Sequence, residues 1–313
     1  MSIITPSTVK DAWEIVSCGN RVLVFSKTLW IFQTDGSFVT HQKAVRYPRK
    51  AAFLQDNTAI LEANSTYFHI DLTDGSVLWS NPRKKGICPS INQFAVSPDG
   101  TVVFDFQYMK DSVVRIDRIC PGKQTVDSYS LKDGLSITND LYCKDQDTLY
   151  ILQYSTLIDP EAPLFSTVVP MRQNGILELK YSAENPEREW KHMWQDQSSA
   201  THTPRKTDGR YVLYNDFSVL DLKTMEYFSI LPEHNLGKYK FGEMTNLVFH
   251  EDRNLLSFGY ICQDINVILD CRKREVVAQY VSRKKGCLVG TEFWIGTENG
   301  IVRRPFPWID DIS

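Results

Sequence analysis

One basic tetrapeptide, Arg-Lys-Lys-Gly, occurs twice in the chain, at residues 83–86 and 283–286. A third basic pair ends the segment Tyr47-Pro48-Arg49-Lys50. Arginine forms paired hydrogen bonds with a carboxylate or phosphate and lysine acts as a point charge, so these residue types suit an anionic ligand. The alternative is that they are solvated turn residues that oppose edge pairing and aid solubility. The candidate contact residues in these segments are Arg49, Lys50, Arg83, Lys84, Lys85, Arg283, Lys284 and Lys285.

The composition gives the chain no overall field that would attract an anion. Its 313 residues include 35 Lys and Arg against 38 Asp and Glu, for a formal net charge of −3. An electrostatic function would therefore depend on local clusters of charge. The first residues lack a secretory signal pattern, and no apolar run approaches the roughly 20 residues that span a bilayer. None of the seven Cys falls in a CxxC pair. Together these features predict a reduced, cytoplasmic protein without a membrane span.

Short runs rich in β-branched and aromatic residues account for most of the sequence. They are separated by Asp-Gly, Asn-Gly and Pro-containing turns, and helical periodicity is nearly absent. Many strands joined by tight turns, with no intervening helices, predict an all-β fold, which is a sandwich, a barrel or a propeller. Examples of such runs are RVLVFSK (21–27), TLWIFQTDG (28–36), STYFHIDLTDG (65–75), TVVFDFQY (101–108) and RYVLYNDFSVLDL (210–222).

A longer repeat favours the propeller among these folds. In four places a predicted strand ends in an aliphatic residue followed by aspartate, namely Ile70-Asp71, Ile116-Asp117, Leu220-Asp221 and Leu269-Asp270. The aspartates lie 46, 104 and 49 positions apart. A unit of about 40–50 residues with four short strands is typical of a propeller blade. We therefore expect a single domain, residues 1–313, that forms a seven-bladed β-propeller, with a two-domain β-sandwich protein as the competing fold.

Seven units can be drawn along the chain, and the last one contains only three predicted strands. Their expected bounds are 11–45, 46–86, 87–134, 135–198, 199–236, 237–285 and 286–308. The N-terminal segment SIITP, residues 2–6, has no unit of its own. We expect it to supply the fourth strand of the last unit and so to close the ring, because closure removes an open sheet edge.

Two of the units contain segments that resemble known propeller repeats. The segment FAVSPDG, residues 94–100, resembles the end of the innermost strand of a WD40 repeat. The segment DGSVLW, residues 74–79, is similar to the Asp-Gly turn and following tryptophan of quinoprotein-type repeats. The resemblance implies a propeller fold, WD40-like or quinoprotein-like, and it transfers no site residue to this chain.

The expected fold places the basic segments together on one face. If the strands of a blade are lettered A to D from the channel to the rim, antiparallel order puts the D-to-A connections and the B-to-C loops on one face. All three basic segments follow a predicted D strand. The longest insertion, residues 156–173, separates the predicted B and C strands of the fourth unit and would lie on the same face. An apolar loop of this length is more often functional than idle, and Leu164 and Phe165 are its candidate contact residues.

The sequence contains no local motif for catalysis or for binding a metal or cofactor. The six His show no HxH or HxxxH spacing, and GxSxG, HExxH and P-loop patterns are missing. We therefore expect no metal and no cofactor. We interpret the chain as a protein-interaction or scaffold module that binds a protein, or an acidic or phosphorylated ligand, on the basic face. Nucleic acid is not favoured, because few aromatic residues are interleaved with the basic ones.

Two other functions stay open at this point. One is an enzyme whose small-molecule site lies at the channel mouth and is assembled from residues of several blades. The other is a structural subunit of a larger assembly, in which the basic turns are ordinary surface.

Overall fold

The computed structural model describes residues 2–4, 9–83, 94–108, 113–132, 136–156, 172–181, 187–195, 204–207, 210–214, 218–229, 244–250, 254–260, 265–281, 286–298 and 300–306. Within these ranges the chain is all-β, as the sequence predicted, and the only helical segment is a short 3-10 turn at Pro121–Lys123. No helix in these ranges has the length and hydropathy needed to cross a bilayer.

The described strands form seven sheets of four strands each, and neighbouring strands are antiparallel. The first strand, β1 (Ser2–Ile4), belongs to the last sheet. Sheet 1 contains β2 (Glu14–Cys18), β3 (Arg21–Phe25), β4 (Thr28–Gln33) and β5 (Phe38–Arg46). Sheet 2 contains β6 (Pro48–Phe53), β7 (Thr58–Ala63), β8 (Thr66–Asp71) and β9 (Val77–Pro82). Sheet 3 contains β10 (Ala95–Val96), β11 (Val103–Tyr108), β12 (Val113–Cys120) and β13 (Thr125–Lys132).

The remaining four sheets follow in chain order. Sheet 4 contains β14 (Ser136–Cys143), β15 (Thr148–Thr156), β16 (Arg172–Lys180) and β17 (Glu187–Gln195). Sheet 5 contains β18 (Pro204–Thr207), β19 (Tyr211–Tyr214), β20 (Ser218–Asp221) and β21 (Glu226–Ser229). Sheet 6 contains β22 (Met244–His250), β23 (Leu255–Tyr260), β24 (Ile265–Asp270) and β25 (Glu275–Val281). Sheet 7 contains β26 (Gly286–Val289), β27 (Glu292–Thr297), β28 (Gly300–Pro305) and β1.

The chain falls into two compact units. One comprises Met1–Lys85, Cys120–Thr125 and Thr245–Ser313, and it contains sheets 1, 2 and 7 and nearly all of sheet 6. The other comprises Gly86–Ile119 and Val126–Met244, and it contains most of sheet 3 with sheets 4 and 5.

Sheet 7 takes its outer strand from the start of the chain. Strand β1 pairs antiparallel with β28, with Ser2 opposite Arg303 and Ile4 opposite Ile301. The sequence predicted this pairing, because the last unit held only three strands of its own. Arg303 also donates a hydrogen bond of 3.0 Å to the carbonyl oxygen of Asp35, which ties sheet 7 to sheet 1.

The core of the first unit lies between stacked sheets, and strand β3 shows how it is built. All five residues of β3 are buried. Val22 and Val24 pack in a cluster with Trp294 of sheet 7. Leu23 and Phe25 pack in a second cluster with Leu61 of sheet 2 and its neighbours. Alternate side chains of a strand point to opposite faces, so one strand contributes to the core on both sides.

The turns between the third and fourth strands repeat one geometry. Asp71, Asp221 and Asp270 each accept a hydrogen bond from the amide two residues later, at 2.6, 2.8 and 2.9 Å. Each aspartate carbonyl also accepts a bond from the amide four residues later, which belongs to Gly75, Met225 and Arg274 respectively. These last three residues have positive φ angles of 76°, 59° and 57°. An aspartate side chain that caps its own turn explains the repeat in the sequence.

Asp117 does not belong to this set, and its assignment to a strand end was wrong. It lies inside β12, fully buried, directly opposite Asp105 of β11. Its carboxylate accepts hydrogen bonds from Arg115 at 2.6 Å and Ser128 at 2.7 Å, and from Gln107 at 3.1 Å. A buried carboxylate needs such donors. The aspartate is therefore held in the interior of the sheet, and the corresponding turn begins three residues later, at Cys120.

Sheet 2 contains a buried ion pair at the end that leads into the next sheet. The guanidinium of Arg83 lies 3.2 Å from the Glu62 carboxylate, and the two side chains are 4% and 2% exposed. Lys50 of β6 stands directly opposite Glu62 in the register and is 7% exposed. The ring of Tyr67 lies 5.9 Å from the Arg83 guanidinium. Removing one partner of such a pair leaves a buried charge uncompensated, which is strongly destabilising.

Replacing Gly75 with alanine is expected to lower the free energy of unfolding by about 2–4 kcal/mol, through left-handed strain and overpacking. The φ angle of Gly75 is +76°, and a Cβ there would overlap Cγ2 of Thr40. Gly122 is the matched control, since an added Cβ meets no atom within 4 Å. Gly122→Ala is expected to change stability by less than about 0.5 kcal/mol. Urea unfolding measures both variants, and equal losses would contradict the described packing.

Replacing Arg83 with methionine is expected to cost about 3–5 kcal/mol of stability, because Glu62 would stay buried without that partner. The triple variant Lys50→Ile, Glu62→Val, Arg83→Met removes all three charges and is expected to recover most of this loss. The three replacement side chains are apolar, so no charge stays buried at this end of sheet 2. Thermal and urea unfolding of the wild type, single and triple variants provide the measurement. A single variant as stable as the wild type would refute the structural role of the pair.

Candidate functional site

Tyr47 and Arg83 occupy the same position in two consecutive sheets. Each follows the fourth strand of its sheet and begins the D-to-A connection to the next sheet. The amide of Tyr47 donates to the carbonyl of Lys27 at 3.1 Å, and the amide of Arg83 donates to the carbonyl of Ser65 at 3.0 Å. Lys27 and Ser65 lie in the turns between the second and third strands. The D-to-A connection and the B-to-C turn of each sheet therefore lie side by side.

The two side chains at this position differ in exposure. Arg83 is buried, whereas Tyr47 is 54% exposed. In sheet 2 the neighbouring strand offers Glu62, so the Arg83 guanidinium turns inward to pair with it. In sheet 1 the corresponding residue is Phe25, which offers no charge and is fully buried in an apolar cluster. A polar side chain gains nothing by turning toward such a cluster, and Tyr47 stays at the surface.

Arg49 is exposed because strand β6 contains a bulge. Pro48 stands opposite Ala63 and Lys50 stands opposite Glu62, so Arg49 has no residue opposite it on β7. An extra residue in one strand of an antiparallel pair leaves the ladder and changes the direction of its side chain. The bulge therefore separates the two basic residues of this segment, with Arg49 at the surface and Lys50 inside.

The ring of Tyr47 is held by Trp13. The two rings are stacked, with centroids 6.4 Å apart and planes 8° from parallel. The indole nitrogen of Trp13 donates to the carbonyl of Pro48 at 3.2 Å, which fixes the position of the indole ring. Tyr47 also has a positive φ of 54°. Bulky residues rarely adopt this conformation, and it persists where the surrounding structure imposes it.

Three exposed cations surround this aromatic pair in the sequence and in the strand register. Arg46 and Arg49 flank the Tyr47-Pro48 dipeptide, and Lys27 meets Tyr47 through the backbone hydrogen bond. None of these three cations forms an ion pair with an acidic residue in the part of the chain that the structure describes. We name Lys27, Arg46, Tyr47 and Arg49, with Trp13 beneath, the basic corner.

The structure places the sequence-predicted contact residues in different environments. Arg49 lies in the basic corner, whereas Lys50 and Arg83 are buried around Glu62 and present no charged group at the surface. Strands β15 and β16 pair as far as Thr156 opposite Arg172, so the predicted insertion shortens to residues 157–171. The remaining predicted residues lie outside the described residues, and they are Lys84, Lys85, Leu164, Phe165, Arg283, Lys284 and Lys285.

Sequence reasoning missed part of the basic corner. Arg46 adjoins Tyr47 directly, and this adjacency was a usable signal. The stacking of Trp13 on Tyr47 and the approach of Lys27 left no local signal, because strand pairing brings these residues together. Chemically, the corner offers positive charge for a carboxylate or phosphate and a flat aromatic surface for packing. Among the described residues, no group of three or more His, Cys, Asp or Glu is arranged to hold a metal ion.

Comparison with known proteins gives the fold and no more. No protein-family model matches the sequence, and no curated protein matches it significantly. Among solved structures, the chain is similar to the C-terminal WD40 domain of Sif2, with 12% identity and a TM-score of 0.56, over 98% of this chain and all of that one. It is equally similar to the computationally designed Ika8 protein, with 12% identity and a TM-score of 0.56, over 96% and 98% of the two chains.

A third similar structure is the dihydro-heme d1 dehydrogenase NirN in complex with DHE, with 12% identity and a TM-score of 0.50. The match covers 94% of this chain and 72% of that one. At this level of identity the likeness concerns the fold, which hosts many unrelated functions. The seven antiparallel sheets and these neighbours together show that the chain has a β-propeller fold.

Proposed function

We propose that the chain is a single seven-bladed β-propeller domain, closed by Ser2–Ile4 in its last blade, and that it works as a protein-interaction module. It binds a partner through an acidic or phosphorylated segment, on the face that carries the D-to-A connections. The observation that carries this proposal is the basic corner, in which Lys27, Arg46 and Arg49 are exposed and form no ion pair with described residues. Unneutralised cations on an otherwise mildly acidic chain favour an anionic partner locally.

How much these cations contribute to the free energy of binding depends on their exposure to water. An ion pair in water is worth little by itself, about 0–1 kcal/mol. Charge-assisted hydrogen bonds contribute about 1.5–3 kcal/mol each when the geometry is good. Arg46 and Arg49 flank Tyr47 and Pro48 in the chain and are both exposed, so both can contact one short ligand. The expected binding is therefore selective for clustered negative charge and weakens as salt is added.

The other basic connections extend the same surface under this proposal. Lys84 and Lys85 follow β9, and the segment Arg283-Lys284-Lys285 follows β25, so all of them belong to D-to-A connections. Leu164 and Phe165 belong to a B-to-C connection, between β15 and β16. We include these residues as candidate contacts. Arg83 and Lys50 act by holding the end of sheet 2 in place, and they support the surface from within.

Reversing the charges of the basic corner tests the proposal. The variant Lys27→Glu, Arg46→Glu, Arg49→Glu is expected to lose capture of its acidic partners from lysate and to bind an acidic test peptide at least tenfold more weakly, which corresponds to about 1.4 kcal/mol. The matched control is Lys123→Glu, Lys223→Glu, Arg272→Glu, which reverses three exposed charges in turns at the opposite end of their sheets. The control is expected to keep both activities.

Folding is checked by circular dichroism and thermal unfolding of both triple variants, since exposed substitutions of this kind usually change stability by less than about 0.5 kcal/mol. Arg83 is left unchanged, because a second carboxylate beside Glu62 would disrupt the buried pair. Equal peptide binding by the wild type and the corner variant, with both folded, would refute the proposal. Loss of binding in the control as well would show that total charge, and not the corner, is responsible.

A further inference from the structure

The exposed ring of Tyr47 gives the basic corner a second means of recognition besides charge. We infer that the corner selects acidic peptide segments that carry an aromatic side chain, which packs on the free face of the Tyr47 ring while its acidic neighbours meet Lys27, Arg46 and Arg49. This inference rests on the proposed function, because it names the kind of segment that the corner binds.

The geometry of the aromatic pair supports this reading. Trp13 lies beside the Tyr47 ring, with nearly parallel planes and centroids 6.4 Å apart, and Tyr47 is nevertheless 54% exposed. Trp13 is fixed in turn by its hydrogen bond to Pro48 and by partial burial against the core cluster of sheets 1 and 2. The Tyr47 ring therefore has an anchored aromatic neighbour, and more than half of the residue is accessible to a ligand. A ring that is already ordered loses little conformational freedom when a second ring packs on it.

The backbone conformation of Tyr47 supports the same inference. A positive φ is adopted readily by glycine or asparagine, and a tyrosine there is strained. The hydrogen bond from its amide to Lys27 and the buried Pro48 that follows hold the chain in this conformation. The fold alone would be served by a residue without a large side chain. We therefore attribute the tyrosine at this position to a role at the surface. Its ring is exposed, and Arg46 and Arg49 lie on either side of it in the sequence.

The charge distribution favours a peptide over a nucleic acid. Nucleic-acid binding depends on many phosphate contacts along a basic stripe, usually with several stacking platforms. The basic corner holds three exposed cations and one exposed ring, and the chain as a whole carries a net charge of −3. A short segment with a few carboxylates or phosphates around one aromatic residue matches this size and charge.

The test uses two labelled seven-residue peptides that differ at one position. One has tyrosine at its centre and glutamate at the other positions, and the other has alanine at its centre. The wild type is expected to bind the tyrosine peptide about tenfold more tightly by fluorescence anisotropy, since aromatic pairs and the area they bury contribute on this scale. Tyr47→Phe is expected to keep this preference. Tyr47→Asn, which tolerates the backbone conformation, is expected to lose it while still binding both peptides.

The outcomes separate this inference from the proposed function. If the charge-reversed corner variant loses both peptides and Tyr47→Asn loses only the preference, both ideas stand. If the wild type binds the two peptides equally, or if Tyr47→Asn keeps the preference, the aromatic inference is refuted and the charge-based function is untouched. If a single-stranded oligothymidine binds more tightly than either peptide and depends on Tyr47, the peptide assignment is overturned. A thermal melt of Tyr47→Asn close to that of the wild type confirms that the comparison concerns folded proteins.

Discussion

Burial of the second strand on both faces of its sheet is the constraint on which most of the structure depends. A four-stranded antiparallel sheet is too small to form a core by itself, and its inner strands must be covered from both sides. Strands β3, β7 and β19 are buried along their whole length. This requires a sheet on each side, and the stacking of sheets 7, 1 and 2 in the first unit meets the requirement.

The same constraint explains why a single charged residue on an inner strand determines which side chains around it are buried. A carboxylate on a second strand has no access to water, so donors must come from within the protein. Glu62 draws in Arg83 and faces Lys50, and Asp117 on a third strand collects Arg115, Ser128 and Gln107. Where the second strand ends in apolar residues, as β3 of sheet 1 does at Val24 and Phe25, the following connection stays at the surface. The exposure of a connection thus depends on whether the neighbouring strand offers it a buried charged partner.

The sequence predicted those parts of the fold that depend on local signals. Short apolar runs and tight turns indicated an all-β chain, and the missing strand of the last unit indicated the pairing of SIITP with residues 300–305. The aliphatic-aspartate dipeptide was less reliable. At residues 70–71 it ends a strand, whereas at 116–117 it lies inside one, where donors on the same strand and on both neighbouring strands hold the Asp117 carboxylate in the interior. The burial of Arg83 was equally hidden, since it depends on Glu62 in a different strand, and the bulge that exposes Arg49 is visible only in the register.

Sheet 7 is assembled from strands that are separated by nearly the whole chain. During synthesis, β1 emerges from the ribosome long before its partner β28, and it must remain unpaired until residues 300–305 follow. Until then sheet 7 has an open edge, which is the kind of surface at which partly folded chains associate. Pairing of β1 with β28 joins distant parts of the sequence, and such long-range contacts form slowly compared with hairpins. The time for which β1 stays unpaired is therefore set by the length of chain between it and β28, and not by the strength of any one contact.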